Sequence, residues 1–215
     1  MPPRIRSLSL LLVLISPLIA SMTNAASISW LATGTFYSVT DTGDVFEGQI
    51  SIDTPFTGIF QYDTSSIPYE THPDAEYYAF DPSEGFLSMS LFVGSIEAYS
   101  IPSGSARMGV QNDNAVGFDH FQLNHFDASS VVGNVTSLEV AFRDSTGTAF
   151  SDLAIPTSFD LGDFDTHYFG LTASAGEDLG VALGEIQSLT LIPEPGTAAL
   201  LAFGLAALST IRRRG

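Results

Sequence analysis

The stretch VFEGQISIDTPFTGIFQYD, Val45 to Asp63, decides the fold class. In its first half Phe46, Gly48, Ile50 and Ile52 alternate with Glu47, Gln49, Ser51 and Asp53; in its second half Phe56, Phe60 and Tyr62 repeat the pattern. Successive side chains of a strand point to opposite faces, so a period of two marks a sheet with one buried face. Thr54-Pro55 between the halves suits a tight connection, and the whole stretch predicts an antiparallel hairpin.

The same alternation recurs outward from there. Leu87, Met89, Leu91 and Val93 share one face of FLSMSLFV, and Leu138, Val140 and Phe142 share one face of SLEVAFRD. Trp30 to Val39 predicts an opening strand, and RMGVQND, FDHFQLN and IQSLTLI carry weaker strand patterns. Clusters of Gly, Asp, Asn and Pro punctuate them, and no repeat of solenoid or propeller length stands out. Roughly nine to eleven short strands predict an all-β fold, a single β-sandwich or jelly-roll-like domain.

Composition agrees with a folded core. Of 215 residues 45% are hydrophobic and 11% aromatic, which excludes a disordered chain. Cysteine is absent, so disulfides, thiolate metal centres and a thiol nucleophile are excluded. Lysine is absent as well, which removes Schiff-base chemistry, a phosphate-loop lysine and a Ser-Lys dyad.

Charge is sharply partitioned. Arg4, Arg6, Arg212, Arg213 and Arg214 sit at the two ends, while residues 27–192 carry 23 acidic residues against Arg107 and Arg143, a net charge of −21. Such a body repels phosphate backbones and excludes nucleic acid as a partner. Divalent cations or a neutral matrix suit it better.

The ends read as targeting segments. Arg4 and Arg6 precede an apolar run from Leu8 to Ile19, followed by Thr23-Asn24-Ala25-Ala26; residues 1–26 predict a secretory signal peptide cut after Ala25 or Ala26. At the other end Ala198 to Ile211 holds no charge, yet 14 residues at ~1.5 Å each reach only ~21 Å across a ~30 Å hydrocarbon core. By hydropathy alone spanning and core burial are equally good readings. Arginines prefer the cytoplasmic flank of a membrane segment, and both arginine clusters lie at the outer ends of their apolar runs, so a membrane hairpin satisfies both.

Ile192-Pro193-Glu194-Pro195-Gly196-Thr197, then AALLAFGLAAL, then three terminal arginines resembles the PEP-CTERM sorting signal of exopolysaccharide-producing Gram-negative bacteria. The resemblance covers residues 192–215. It implies export, transient anchoring in the inner membrane through a short transmembrane helix, and cleavage near Pro193, Glu194 and Pro195 by an exosortase. Arg212, Arg213 and Arg214 would then flank the membrane, and the product would reach the cell surface, extracellular matrix or biofilm. The two prolines fix φ and keep the tripeptide extended, accessible to an enzyme. Residues 27–191 remain as the acidic β-sandwich body. The spacing FTGIFQYDTSS, EYYAFDPSEGFLSMSLFVG and VQNDNAVGFDHFQL is more loosely similar to other proteins bearing such signals, and implies no defined activity.

Within the body, aspartates cluster at Asp41-Thr42-Gly43-Asp44, Asn112-Asp113-Asn114 and Asp160 to Asp165. Oxygen-rich loops can hold Ca²⁺, with Asp160, Asp163 and Asp165 the best set, but no EF-hand spacing is present and Asp and Asn are also ordinary turn builders. His72, His120, His125 and His167 read as solvent-facing or turn residues; five apart on a strand, His120 and His125 point to opposite faces. There is no Gly-x-Ser-x-Gly elbow, and Ser103 and Ser105 lie in a loop with no base to name. The body's single tryptophan, Trp30, offers little platform for a sugar-cleaving cleft, and Asn134-Val135-Thr136, a sequon by pattern, reads as a turn entering a strand. The expectation is a non-enzymatic surface or matrix protein associated with exopolysaccharide, the alternative a Ca²⁺-dependent carbohydrate-binding module.

Overall fold

The computed structural model describes residues 27–80, 87–94, 96–99, 105–112, 117–126, 128–130 and 134–193. The signal peptide, Glu194, Pro195, the apolar segment with its arginines, and Ser103, Asp113 and Asn114 lie outside the described residues. Among those described the fold is all-β, with no α-helix; a single 3-10 turn runs from Leu161 to Asp163, and no helix is long and apolar enough to cross a membrane.

Twelve strands are described: β1 (Ser27–Asp41), β2 (Pro55–Asp63), β3 (Glu70–His72), β4 (Ala75–Phe80), β5 (Leu87–Val93), β6 (Ile96–Tyr99), β7 (Ala106–Gln111), β8 (Asp119–Phe126), β9 (Ser129–Ser130), β10 (Asn134–Asp144), β11 (Thr166–Ala175) and β12 (Asp178–Ile192). They form one antiparallel sheet in the order β3-β4-β7-β8-β10-β11-β12-β1-β2-β5-β6-β9. Four strands separate β2 from β8 in that order, yet the Tyr62 and Phe121 rings sit 5.4 Å apart. Phe60 likewise meets Phe142 at 6.1 Å, and Phe56 meets Phe169 at 6.1 Å. The sheet therefore curls back over its own inner face, and that face is the core.

The alternation of β2, β5, β8 and β10 translates directly into burial. Phe56, Phe60, Tyr62, Met89, Leu91, Phe121, Leu123, Val140 and Phe142 all lie inside. Burying a large apolar side chain stabilises by roughly 1.5–3 kcal/mol, so this face dominates the folding energy. The rings are accommodated by glycines on strands that are not their sheet neighbours: a Cβ at Gly58 on β2 would lie 2.5 Å from Cδ2 of Phe169 on β11, and one at Gly184 on β12 would lie 2.8 Å from Cδ1 of Phe56 on β2.

The predicted hairpin of Val45 to Asp63 does not form. The strand expected in FTGIFQYD does form, as β2 from Pro55, but it pairs with β1 and β5, and residues 45–53 are the irregular connection from β1. The backbone explains the difference. Asp44, Glu47 and Asp53 take φ of 58°, 51° and 68°, and Gly43 and Gly48 take 68° and 67°, which no strand permits. Asp41 accepts from the Val45 N–H at 2.6 Å and the Phe46 N–H at 3.2 Å, so a side chain takes amides a ladder would have used. The apolar residues still reach the core: Phe46 and Ile50 are buried, with Phe46 lying against Gly180, whereas Ile52 is exposed.

Residues 145–165, between β10 and β11, run without a strand over the aromatic core. Phe159 stacks on Phe142 at 4.5 Å and meets Phe121 at 5.0 Å and Trp30 at 5.5 Å. Trp30 Nε1 donates to Tyr62 Oη at 3.2 Å, which in turn donates to the Pro156 carbonyl at 2.7 Å, tying this segment to β1 and β2.

Candidate functional site

The aspartates are, first of all, builders of turns. Asp144 ends β10 and its carboxylate accepts five hydrogen bonds: from Thr146 N–H (2.8 Å) and hydroxyl (2.7 Å) on one oxygen, and from Thr148 N–H (2.7 Å), Thr148 hydroxyl (3.2 Å) and Ala149 N–H (3.0 Å) on the other. The Thr146 hydroxyl and the Thr148 amide hold its pKa far below the ordinary carboxylate value. Asp63 caps its turn through Ser65 N–H and hydroxyl, both 2.7 Å, and buried Asp119 accepts from Phe150 N–H at 2.7 Å. These acids are satisfied by the chain itself.

Asp160, Asp163 and Asp165, close in sequence, are divided by the fold. Asp160 caps the 3-10 turn by accepting from Gly162 N–H at 2.9 Å, and with Asp163 it lines a cavity of about 400 Å³ beside Phe150, Phe159 and Phe164. Asp165 lies past the turn, accepts from the Ser145 N–H at 3.1 Å and from the Ser145 hydroxyl, and lines a different cavity. Among the described residues no three His, Asp or Glu side chains gather as a metal would require. The candidate calcium set of this loop is not brought together, and the turn-building reading of these aspartates stands for Asp160.

The histidines separate as their spacing predicts, His120 outward and His125 inward. The expectation of solvent exposure fails for His125, which is 1% exposed in the core. His120 is driven down to about 4 by burial and by the Arg143 guanidinium, its cross-strand partner. Arg143 itself lies 4.4 Å over the Phe118 ring, and Arg107 lies 6.0 Å over Phe126.

What the sequence did not reveal is a polar array on the outward face of the sheet. Glu139 of β10 accepts from Gln122 Nε2 of β8 at 2.5 Å and from Tyr168 Oη of β11 at 2.8 Å. Both donors flank Ala141, the small residue they cover, because Ala141 pairs with Gln122 on one side and Tyr168 on the other. Gly170 leaves room at the next position, where a Cβ would meet Leu183 at 3.2 Å, Glu139 at 3.5 Å and Tyr168 at 3.6 Å. Burial and then the Glu139 charge raise the Tyr168 pKa.

This array borders a cleft of about 390 Å³ lined by Tyr37, Asp165, Thr166, His167 and Glu185. Three features of the backbone open it. The β11–β12 ladder stops at Tyr168–Glu185, while Thr166 and His167 stay with β10 through Arg143 and Phe142, so the two strands part there. On the other side the β1–β12 register skips Tyr37 on one strand and Gln187 on the other, a bulge on each. A bulge re-aims the side chain it carries, and Tyr37 stands 49% exposed at the cleft. Its pKa is raised by burial, then by Glu185 and Glu139. The Nδ1 of His167 is buried without a hydrogen-bond partner. A third cavity of about 320 Å³, beside Tyr69, Arg107, Asn124 and Phe126, shares Gln122 with the array.

No family model, curated protein or solved structure matches the chain.

Proposed function

We propose that the chain is an exported, non-enzymatic surface or matrix protein, a β-sandwich body delivered and released through exosortase cleavage at Pro193-Glu194-Pro195 and associated with exopolysaccharide. The observation that carries this reading is the pairing of the two body ends. Ser29 of β1 lies opposite Ile192 of β12, so the chain enters the body just after the expected signal-peptide cut and leaves it at Pro193, side by side. Two adjacent exits suit two apolar segments held in one membrane with both arginine clusters on its inner side. Pro193 is exposed as it leaves the strand, which suits a strip presented to a membrane enzyme.

The sandwich reading rests on the ring contacts of β2 with β8, β10 and β11, which put two layers of the curled sheet face to face. The non-enzymatic reading is supported by the structural use of the buried acids: Asp63 and Asp144 accept hydrogen bonds from their own turns, and Asp119 accepts from Phe150 N–H in the connection between β10 and β11. Mass spectrometry of the native surface-associated protein tests the processing step. The expected product starts near Ser27 and lacks the apolar segment and its arginines. Recovery of an intact 192–215 tail on surface material overturns cleavage.

A further inference from the structure

The geometry points to the Tyr37–His167–Glu185 cleft as a binding site for a sugar bearing a free amine, one unit of a polysaccharide that continues across the outward sheet face. The lining decides the ligand class. As carboxylates Glu185 and Asp165 can accept hydrogen bonds but not donate them, and the Ser145 hydroxyl and N–H hold the Asp165 pKa below its ordinary value, in the charged form. The lining contains no arginine, and the chain has no lysine. Thr166 and Tyr37 add hydroxyls.

A ligand rich in donors and positively charged completes such a set. A uronate or a phosphorylated sugar is repelled by two carboxylates and by a body of net charge −21. An ammonium supplies three donors, its hydrogen bonds to carboxylates are about twice as strong as neutral ones, and the half-exposed Tyr37 ring offers a face for a sugar ring or the cation. The volume falls at the lower end of the ~300–1,000 Å³ typical of small-ligand sites.

A polymer is favoured over a single sugar by what lies alongside. From Glu185 on β12 across β11 and β10 to Gln122 on β8 is three strand spacings of ~4.8 Å, about 14 Å. The Gln122–Glu139–Tyr168 array fills that distance, and the cavity with Tyr69, Glu70, Asn124 and Phe126 continues it, its one cation, Arg107, lying over the Phe126 ring. A single sugar unit does not reach both ends, whereas a polymer does.

This names a ligand for the matrix reading and borrows from it only the setting, so binding is measured on the purified full chain in mild detergent, independently of export. Calorimetric titration uses a fully de-N-acetylated glucosamine tetrasaccharide, its N-acetylated counterpart, the free glucosamine monomer and tetralysine. The expected result is binding of the amine tetrasaccharide at least about tenfold tighter than of the other three. Glu185→Gln and Tyr37→Ala each weaken it about tenfold with the thermal midpoint unchanged, and Asp152→Asn, on the rim of the other cavity, leaves it intact. Glu185→Gln, nearly isosteric on an exposed position, keeps the test meaningful if Tyr37→Ala disturbs the fold. Equal affinity for tetralysine or the N-acetylated sugar, unchanged binding in Glu185→Gln, or no binding of any sugar overturns the proposal. A chain that binds the amine sugar yet keeps its tail in cells overturns the processing step alone.

Discussion

Replacing Asp144 with asparagine removes the negative end of a five-bond cradle while changing almost no volume. Asparagine keeps one acceptor oxygen, which can still serve the Thr146 pair, but turns an NH₂ group toward the N–H groups of Thr148 and Ala149. Two backbone donors beside a buried side chain then lack an acceptor, at ~1–3 kcal/mol each. Thr146 and Thr148 are exposed, so water relieves part of the loss, and the expected destabilisation is about 3 kcal/mol. At ~2–4 °C per kcal/mol for a domain of this size, the thermal midpoint at pH 7 falls by about 6–12 °C. Alanine, which removes both oxygens, falls further. Far-UV circular dichroism and Trp30 fluorescence report the same transition if the body melts as one unit. The sign with pH is fixed by the depressed pKa: the carboxylate contributes fully above its unfolded value near 4 and loses that contribution as pH falls below it. The gap between wild type and Asp144→Asn therefore stays flat from pH 5 to 8 and closes in stronger acid. A midpoint within about 2 °C of wild type at pH 7, or a gap that widens in acid, refutes the reasoning.

Three further outcomes follow from the core and the sheet surface. Gly58→Ala drives a Cβ into the fully buried Phe169 ring and is expected to destabilise by about 1–3 kcal/mol, read as a lower denaturant midpoint with an unchanged slope. Tyr62→Phe strands the Trp30 N–H and the Pro156 carbonyl in the core; it is expected to destabilise by about 1–3 kcal/mol and to shift Trp30 emission, and an unchanged spectrum would show that the relay is absent in solution. His120, with its folded pKa lowered to about 4, stays neutral where the unfolded chain takes a proton, so its contribution to stability is lost as pH falls from about 6.5 to 4. Because His120 is partly exposed, the loss is about 2 kcal/mol, and it is read as the slope difference between wild type and His120→Gln, which cancels the common effect of the carboxylates.

The sheet was legible wherever apolar alternation and strand coincide, as in β2, β5 and β10. It was misread at Val45–Asp53 because burial and element are separate facts. Phe46 and Ile50 face the core from a loop whose amides bond to Asp41 and whose φ values turn positive, and alternation does not register either effect. The cleft was hidden for a different reason. Asp165 is conspicuous in the sequence, but its neighbours Tyr37 and Glu185 arrive through a bulge and a ladder between strands more than a hundred residues apart. The crowding of Asp160, Asp163 and Asp165 suggested one ion site, and a three-residue 3-10 turn sends them to two cavities.

The pairing of Ser29 with Ile192 also fixes how the body bears a mechanical load. Drawing the two ends apart would peel β1 from β12 one rung at a time, the weak direction of any ladder. Gripping both ends together and tugging on the opposite side of the molecule draws β1 and β12 the same way and loads the β1–β2 and β11–β12 ladders in shear, many rungs at once. A body held by both ends at that corner would therefore resist a pull as a glued lap joint does, and would open readily only when the two ends were drawn in different directions.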